Sequence, residues 1–177
     1  MDFQPLNKEQ QAKLDAVPGA YATMWNSIRP PYPCDFRGTA KDIDVLDFIE
    51  YEAGSHPFGI HGAAMLWGNV LVASGAVRWV TNETGDFLLR SAEEYPSYVL
   101  WPYARTMEIE HTSWPQFGKY GWIFQKTLVD LLLAGPDEPV EKRLRALYDT
   151  DDEFWPAWSR EVAETMELPL PRDRFDT

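Results

Sequence analysis

The stretch AVRWVTNETGDFLLR, residues 76–90, decides the fold class of this 177-residue chain. Residues 76–81 alternate with a period of two, as the side chains of a β-strand do when they point to opposite faces. Residues 82–86 form a short polar turn that contains a glycine, and residues 87–90 return with a second apolar run. This pattern predicts a β-hairpin.

An almost wholly apolar segment, residues 59–74, precedes the hairpin and predicts a buried helix. Gly62 and Gly68 lower its helix propensity by about 1 kcal/mol each relative to alanine. We expect them to be present because neighbouring backbone approaches closely. Asn69 is a polar residue in this apolar helix, so it needs a buried hydrogen-bond partner.

The rest of the chain predicts an α+β fold. Further strands are expected at residues 97–101 and 106–112, with prolines 96 and 102 near their ends. Periodic apolar segments predict helices at residues 8–17, 20–28, 39–52, 121–134, 138–148 and 151–166. N-terminal helices, a small antiparallel β-meander and C-terminal helices packed on the sheet make up this pattern.

Local signals place the boundaries of these elements. Pro18-Gly19 should break the first helical segment, and Thr39 followed by Asp42 resembles a capping box. Residues 1–167 are expected to form a single domain, and residues 168–177 an extended or disordered tail.

Composition excludes several classes of protein. Hydrophobic residues make up 45% of the chain, and 28 acidic against 16 basic residues give a net charge of −12. Such a charge repels phosphate, which argues against nucleic acid and anionic membranes as partners. The single cysteine, Cys34, rules out an intrachain disulfide and favours a reducing compartment. With no evident signal peptide and no membrane-spanning apolar run, a cytoplasmic location is expected.

Motifs for common chemistry are missing from the sequence. There is no phosphate loop, no nucleophile elbow and no dinucleotide-binding glycine pattern. His56 and His61, with Glu50 or Glu52, match no metal-binding spacing that we can justify. We therefore expect no metal and no cofactor.

Two further groups are candidates for catalysis. Glu108 and Glu110 would share one face of a strand, with His111 on the other, which is the ordinary arrangement of solvated side chains. Cys34 has no adjacent histidine or helix N-terminus to lower its pKa, as a nucleophile requires. Catalysis at Glu108, Glu110 or His56 would need a cleft, which a sequence does not reveal.

Surface character offers the strongest hint of function. Asp44, Asp47 and Glu50 recur on one side of the predicted helix 39–52 and form an acidic ridge. Such ridges usually only face solvent. This one adds to the strongly negative net charge of the chain and would attract a basic protein. Trp114 and Tyr120 lie beside proline and glycine, where exposed aromatic side chains serve as interface anchors.

Residues 61–71, HGAAMLWGNVL, followed by residues 75–80, GAVRWV, resemble a bacterial domain family of unknown function. In that family a glycine-punctuated helix leads into a strand with the pattern G-x-x-W-x and a small meander. The resemblance spans about residues 56–111. An acidic residue often follows the second helix glycine in the family, whereas this chain has Asn69.

Related domains include immunity proteins of bacterial polymorphic toxin and type VI secretion systems. The resemblance therefore implies a non-enzymatic protein that neutralises a basic toxin domain by occluding its active site. Asp44, Asp47, Glu50, Trp114 and Tyr120 are the expected contact residues. Two alternatives stay open, a small carboxylate-based enzyme of hydrolase type and a small-ligand-binding domain.

Overall fold

The computed structural model describes residues 2–28, 36–92, 99–110 and 119–149. The elements in these ranges are α1 (Lys8–Ile28), α2 (Lys41–Ala53), α3 (Gly59–Ala73), β1 (Val77–Thr81), β2 (Phe87–Ser91), β3 (Val99–Leu100), α4 (Pro102–Glu110), α5 (Lys119–Leu133) and α6 (Glu138–Asp149). The strands form one antiparallel sheet in the order β1-β2-β3. The predicted α+β class is confirmed.

The hairpin has the predicted register. Trp79 lies opposite Leu89, and Thr81 lies opposite Phe87 across the turn. The backbone of Gln4 forms a bridge with Thr81 on the free side of β1. Helix α3 contacts β1 and α4 contacts β2, while α5 packs on α2 and α4. The hydrophobic core is continuous across the sheet and the helices.

Helix α1 differs from the prediction because Pro18 does not end it. An internal proline removes one backbone hydrogen bond and costs about 3 kcal/mol. Leu14, Val17 and Tyr21 follow one another at helical spacing and are all buried. Their shared burial holds both halves of α1 on the core, which outweighs the cost of the proline.

The strand predicted at residues 106–112 is wrong, because residues 102–110 form helix α4. Pro102 occupies the first helical position, where its missing N–H removes no hydrogen bond and its fixed φ suits the helix. Within α4, the Thr106 hydroxyl accepts a 3.0 Å hydrogen bond from the buried Trp67 indole. The strand predicted at 97–101 is confirmed only for Val99–Leu100, since residues 93–98 lie outside the described ranges.

The two α3 glycines permit close contacts of different kinds. A Cβ on Gly62 would lie 2.0 Å from the carbonyl oxygen of Pro57, so backbone does approach here as predicted. At Gly68 the neighbour is instead the Trp79 indole ring, 2.5 Å from such a Cβ. The partner that Asn69 needs is the same ring, since Trp79 Nε1 donates a 2.8 Å hydrogen bond to its side-chain oxygen.

Candidate functional site

The acidic ridge predicted on α2 is not a continuous surface. Asp44 is half-buried, whereas Asp47 is only 2% exposed, so its predicted solvent-facing position is wrong. The two carboxylate oxygens of Asp47 accept 2.9 Å hydrogen bonds from the backbone N–H groups of Tyr120 and Gly121. These groups open α5, where unpaired N–H groups and the helix dipole attract a negative charge. Asp47 therefore caps a helix from another part of the chain.

Glu50, the third residue of the predicted ridge, faces a buried histidine. Its carboxylate lies 2.5 Å from His56 Nε2, and the His56 side chain is only 3% exposed. The two atoms are close, but their geometry is not that of a directional hydrogen bond. The imidazole also stacks on Tyr21 and meets Tyr120 edge-on, with ring centroids 5.7 and 5.0 Å away.

Tyr120 is fully buried, so the exposure predicted for it as an interface anchor is wrong. It is the second residue of α5, and its ring fills the core beside His56 instead of projecting from a loop. Trp114 lies outside the described residues, as do Cys34 and His111. Glu108 and Glu110 lie in α4, so the face that they were expected to share as strand residues does not exist.

The close contact of Glu50 with the buried His56 is not accessible to a substrate. Burial of His56 keeps a substrate away from its ring, and neither residue lines either of the two cavities described below. His61, the second candidate metal ligand, is exposed and stacks on Tyr103 instead of meeting His56. In the described ranges no cluster of histidine, cysteine and carboxylate side chains suits a metal ion.

Tyr21→Phe is expected to stabilise the protein by about 1 kcal/mol. The Tyr21 hydroxyl is buried and has no hydrogen-bond partner in the described part of the chain, so its desolvation is uncompensated. Burial, with a smaller effect of the Glu50 charge, also raises the pKa of this phenol far above its usual range. Denaturant unfolding measures the change. A loss of stability would show that the hydroxyl has a partner.

A small surface cavity of about 200 Å³ lies where α3, the hairpin turn and the start of α4 meet. Helix α3 contributes His61 and Met65 to its lining, and the hairpin turn contributes Asp86 and Phe87. Around the start of α4, the lining includes Trp101, Pro102 and Tyr103. The rings of His61 and Tyr103 stack in parallel, with centroids 4.1 Å apart and planes at 6°. Trp101 is 42% exposed, which is unusual for so large an apolar ring.

The hairpin turn fixes Asp86, which is the one carboxylate among the described residues that line this cavity. Thr84 Oγ1 and Asn82 Nδ2 both donate hydrogen bonds to Asp86 Oδ2. Asn82 Oδ1 in turn accepts from the backbone N–H groups of Thr84 and Asp86, which makes the turn rigid. These hydrogen bonds, that of Thr84 first, hold the pKa of Asp86 below its usual range. Asp86 is therefore ionised and held in place.

A wider groove of about 570 Å³ runs between α1, residues 36–38 and α3. Its buried carboxylate, Asp42, accepts hydrogen bonds from the backbone N–H groups of Gly38 and Thr39, 2.8 and 3.2 Å away. This is half of the predicted capping box, because Ala40 and not Thr39 is the residue at the N-cap. Asp42 therefore has a structural role at the start of α2.

The sequence contains a signal for only part of the surface cavity. Trp101 and Tyr103 stand next to Pro102, and aromatic residues beside proline are a signal of an interface. Asp86 gave no signal of its own, because a polar residue in a hairpin turn is ordinary. Only the fold brings its carboxylate beside rings that come from α3 and from residues 101–103.

Among protein-family models, curated proteins and solved structures, none matches this chain. The link to immunity proteins therefore stays a prediction from the sequence. None of the helices in the described ranges combines the length and apolarity needed to cross a membrane.

Proposed function

We propose that this chain is a non-enzymatic protein-binding module whose partner is basic. The observation that carries the proposal is the surface cavity, which an ionised Asp86 lines together with the exposed Trp101 ring and the stacked rings of His61 and Tyr103. Aromatic residues dominate the energetics of protein interfaces, and a net charge of −12 attracts a cationic surface over a distance. The acidic ridge predicted on α2 is not needed for this function.

The size of the cavity supports a protein partner over a metabolite. Pockets for drug-sized ligands and cofactors enclose roughly 300–1,000 Å³. The cavity here encloses about 200 Å³, which suits one side chain that projects from a larger surface. Binding of a small molecule is the second candidate function, and the observation in its favour is the wider groove between α1 and α3, whose volume of about 570 Å³ lies within that range.

Neutralisation of a toxin is the narrower form of the proposal. Its support is the sequence resemblance together with the acidity of the chain. In this form the cavity would hold a cationic side chain near the active site of the toxin, and the bulk of the domain would block access. Electrostatic steering would make association fast and sensitive to salt.

The proposal is tested by comparing the wild type with Trp101→Ala and Leu133→Ala as bait in a native lysate. Leu133 is a matched control, because it is 74% exposed and does not line the cavity. We expect a basic protein to elute from the wild type and from Leu133→Ala at moderate salt. Trp101→Ala should lose it, since removal of an aromatic anchor typically costs about 2 kcal/mol or more.

The captured protein is then purified and its affinity for each variant is measured by calorimetry. A decrease of about tenfold or more for Trp101→Ala alone is expected, together with affinity that falls as salt rises. Equal affinity of the three proteins, or a partner that is itself acidic, would rule the proposal out. Small-molecule binding would be favoured if a metabolite and no protein depended on Trp101.

A further inference from the structure

We propose that the surface cavity binds the guanidinium group of an arginine side chain. This inference rests on the proposed function, because it names the group of the basic partner that enters the cavity. Three features of the site support it: a flat stacked ring pair, a fixed carboxylate with an unused oxygen, and the lack of a lysine or arginine among the described residues that line it.

The ring pair offers a planar surface. His61 and Tyr103 are nearly parallel, with centroids 4.1 Å apart, and the Trp101 ring lies 6.1 Å from Tyr103 at 44°. Guanidinium is planar and weakly hydrated, so it stacks on aromatic faces more readily than an ammonium group does. Because the inner faces of His61 and Tyr103 cover each other, an arginine in the cavity would stack on an outer face of this pair or on the Trp101 ring.

The Asp86 carboxylate supplies a negative charge and a hydrogen-bond acceptor that would orient the guanidinium group. The hydrogen bonds that Asp86 accepts from Thr84 and Asn82 both fall on Oδ2. Within the described ranges Oδ1 accepts no hydrogen bond, so it is available to a donor in the cavity. A quaternary ammonium ion has no N–H group and would leave this oxygen unsatisfied. An arginine has N–H donors in a fixed fork and would satisfy it.

The cavity has room for a foreign cation. No lysine or arginine is among the described residues that line it. Two of the chain's own cations contact aromatic rings elsewhere, Arg90 over Phe3 and Lys126 over Trp122. Apart from the imidazole of His61, the described lining of the site presents aromatic faces and a negative charge without the cation that such an arrangement attracts.

The experiment is a ¹⁵N NMR titration near pH 7 with four probes. Three are blocked tripeptides, glycine-X-glycine with X as arginine, lysine or citrulline, and the fourth is free L-arginine. Citrulline keeps the shape of arginine but is neutral. We expect the arginine peptide to shift the Trp101 indole signal, with affinity at least about threefold above lysine and about tenfold above citrulline.

Two variants with the same change in charge test the role of Asp86. Asp86→Asn should weaken arginine binding about tenfold, because the charge is lost while an oxygen remains to accept the hydrogen bonds of the turn. Glu83→Gln should bind like the wild type, since Glu83 is exposed in the same turn and does not line the cavity. Unchanged signals from β1 and β2 would show that each variant is folded.

Each other outcome has a definite meaning. Equal affinity for the arginine and citrulline peptides would overturn the guanidinium site. An equal loss of affinity for the arginine peptide in Asp86→Asn and Glu83→Gln would overturn it as well. The basic partner would survive that result if its capture still depended on Trp101. Conversely, tight arginine binding without any Trp101-dependent protein would support the site and overturn the proposed function. If free L-arginine binds more tightly than the arginine peptide, the guanidinium group that the cavity binds belongs to a small molecule and not to a protein.

Discussion

Gly62→Ala should destabilise the protein by about 3 kcal/mol, even though alanine is the better helix former. The added Cβ would lie 2.0 Å from the Pro57 carbonyl oxygen, which is backbone and has no rotamer to escape into. Overpacking of this kind typically costs about 1–3 kcal/mol or more. To relieve the clash, the loop before α3 must shift, and His56 in that loop would leave its buried place between Tyr21 and Tyr120.

Gly19→Ala is the matched control for Gly62→Ala. Gly19 also lies inside a helix, but a Cβ there meets nothing within 4 Å. Its replacement should therefore stabilise the protein, by up to about 1 kcal/mol from helix propensity alone. Denaturant unfolding followed by fluorescence of the 8 tryptophans measures both variants. Equal stability of the two variants would refute the close approach of Pro57 to α3.

Asp47→Asn is expected to cost about 3 kcal/mol. Asparagine has one carbonyl oxygen in place of two carboxylate oxygens, so Tyr120 or Gly121 would lose its hydrogen-bond acceptor. A hydrogen bond to a charged group contributes about 1.5–3 kcal/mol, and a buried donor left unpaired adds its own desolvation. The negative charge at the start of α5 is lost as well.

Hydrogen exchange locates the effect of Asp47→Asn. Amides in the first turn of α5 should lose more protection against exchange than the loss of global stability explains. Protection of amides in the middle of α3 should fall only by as much as the global stability does. Asp15→Asn is the control, because Asp15 is exposed and, among the described residues, accepts only a local hydrogen bond from Gln11. A loss of stability no larger than that of Asp15→Asn would show that Asp47 does not cap α5.

Local patterns in the sequence were enough to predict the hairpin and most of the helices. The period of two at residues 76–81 and the glycine turn are short-range signals, so tertiary context did not alter them. Pro102 and Pro18 were misread because proline has opposite meanings at a helix start, in a helix interior and at a strand end. Only packing decides which meaning applies.

The roles of the acidic residues could not be predicted in the same way. Asp47 recurs with Asp44 and Glu50 as solvated residues do, but its partners are 73 and 74 residues away in the chain. Burial of a carboxylate depends on such a distant partner, and helical periodicity contains no information about it. The cavity around Asp86 could not be predicted from local patterns either, because its aromatic rings come from segments that are distant in the sequence.

The pairing of Gln4 with Thr81 has a consequence for the behaviour of the protein at high concentration. A small sheet with bare outer strands is a template for other chains, and growth by strand addition leads to aggregates. Here Gln4 occupies the end of one outer strand, and the exposed Arg78 places a charge along it. Polymerisation through the β1 edge of the sheet is therefore disfavoured.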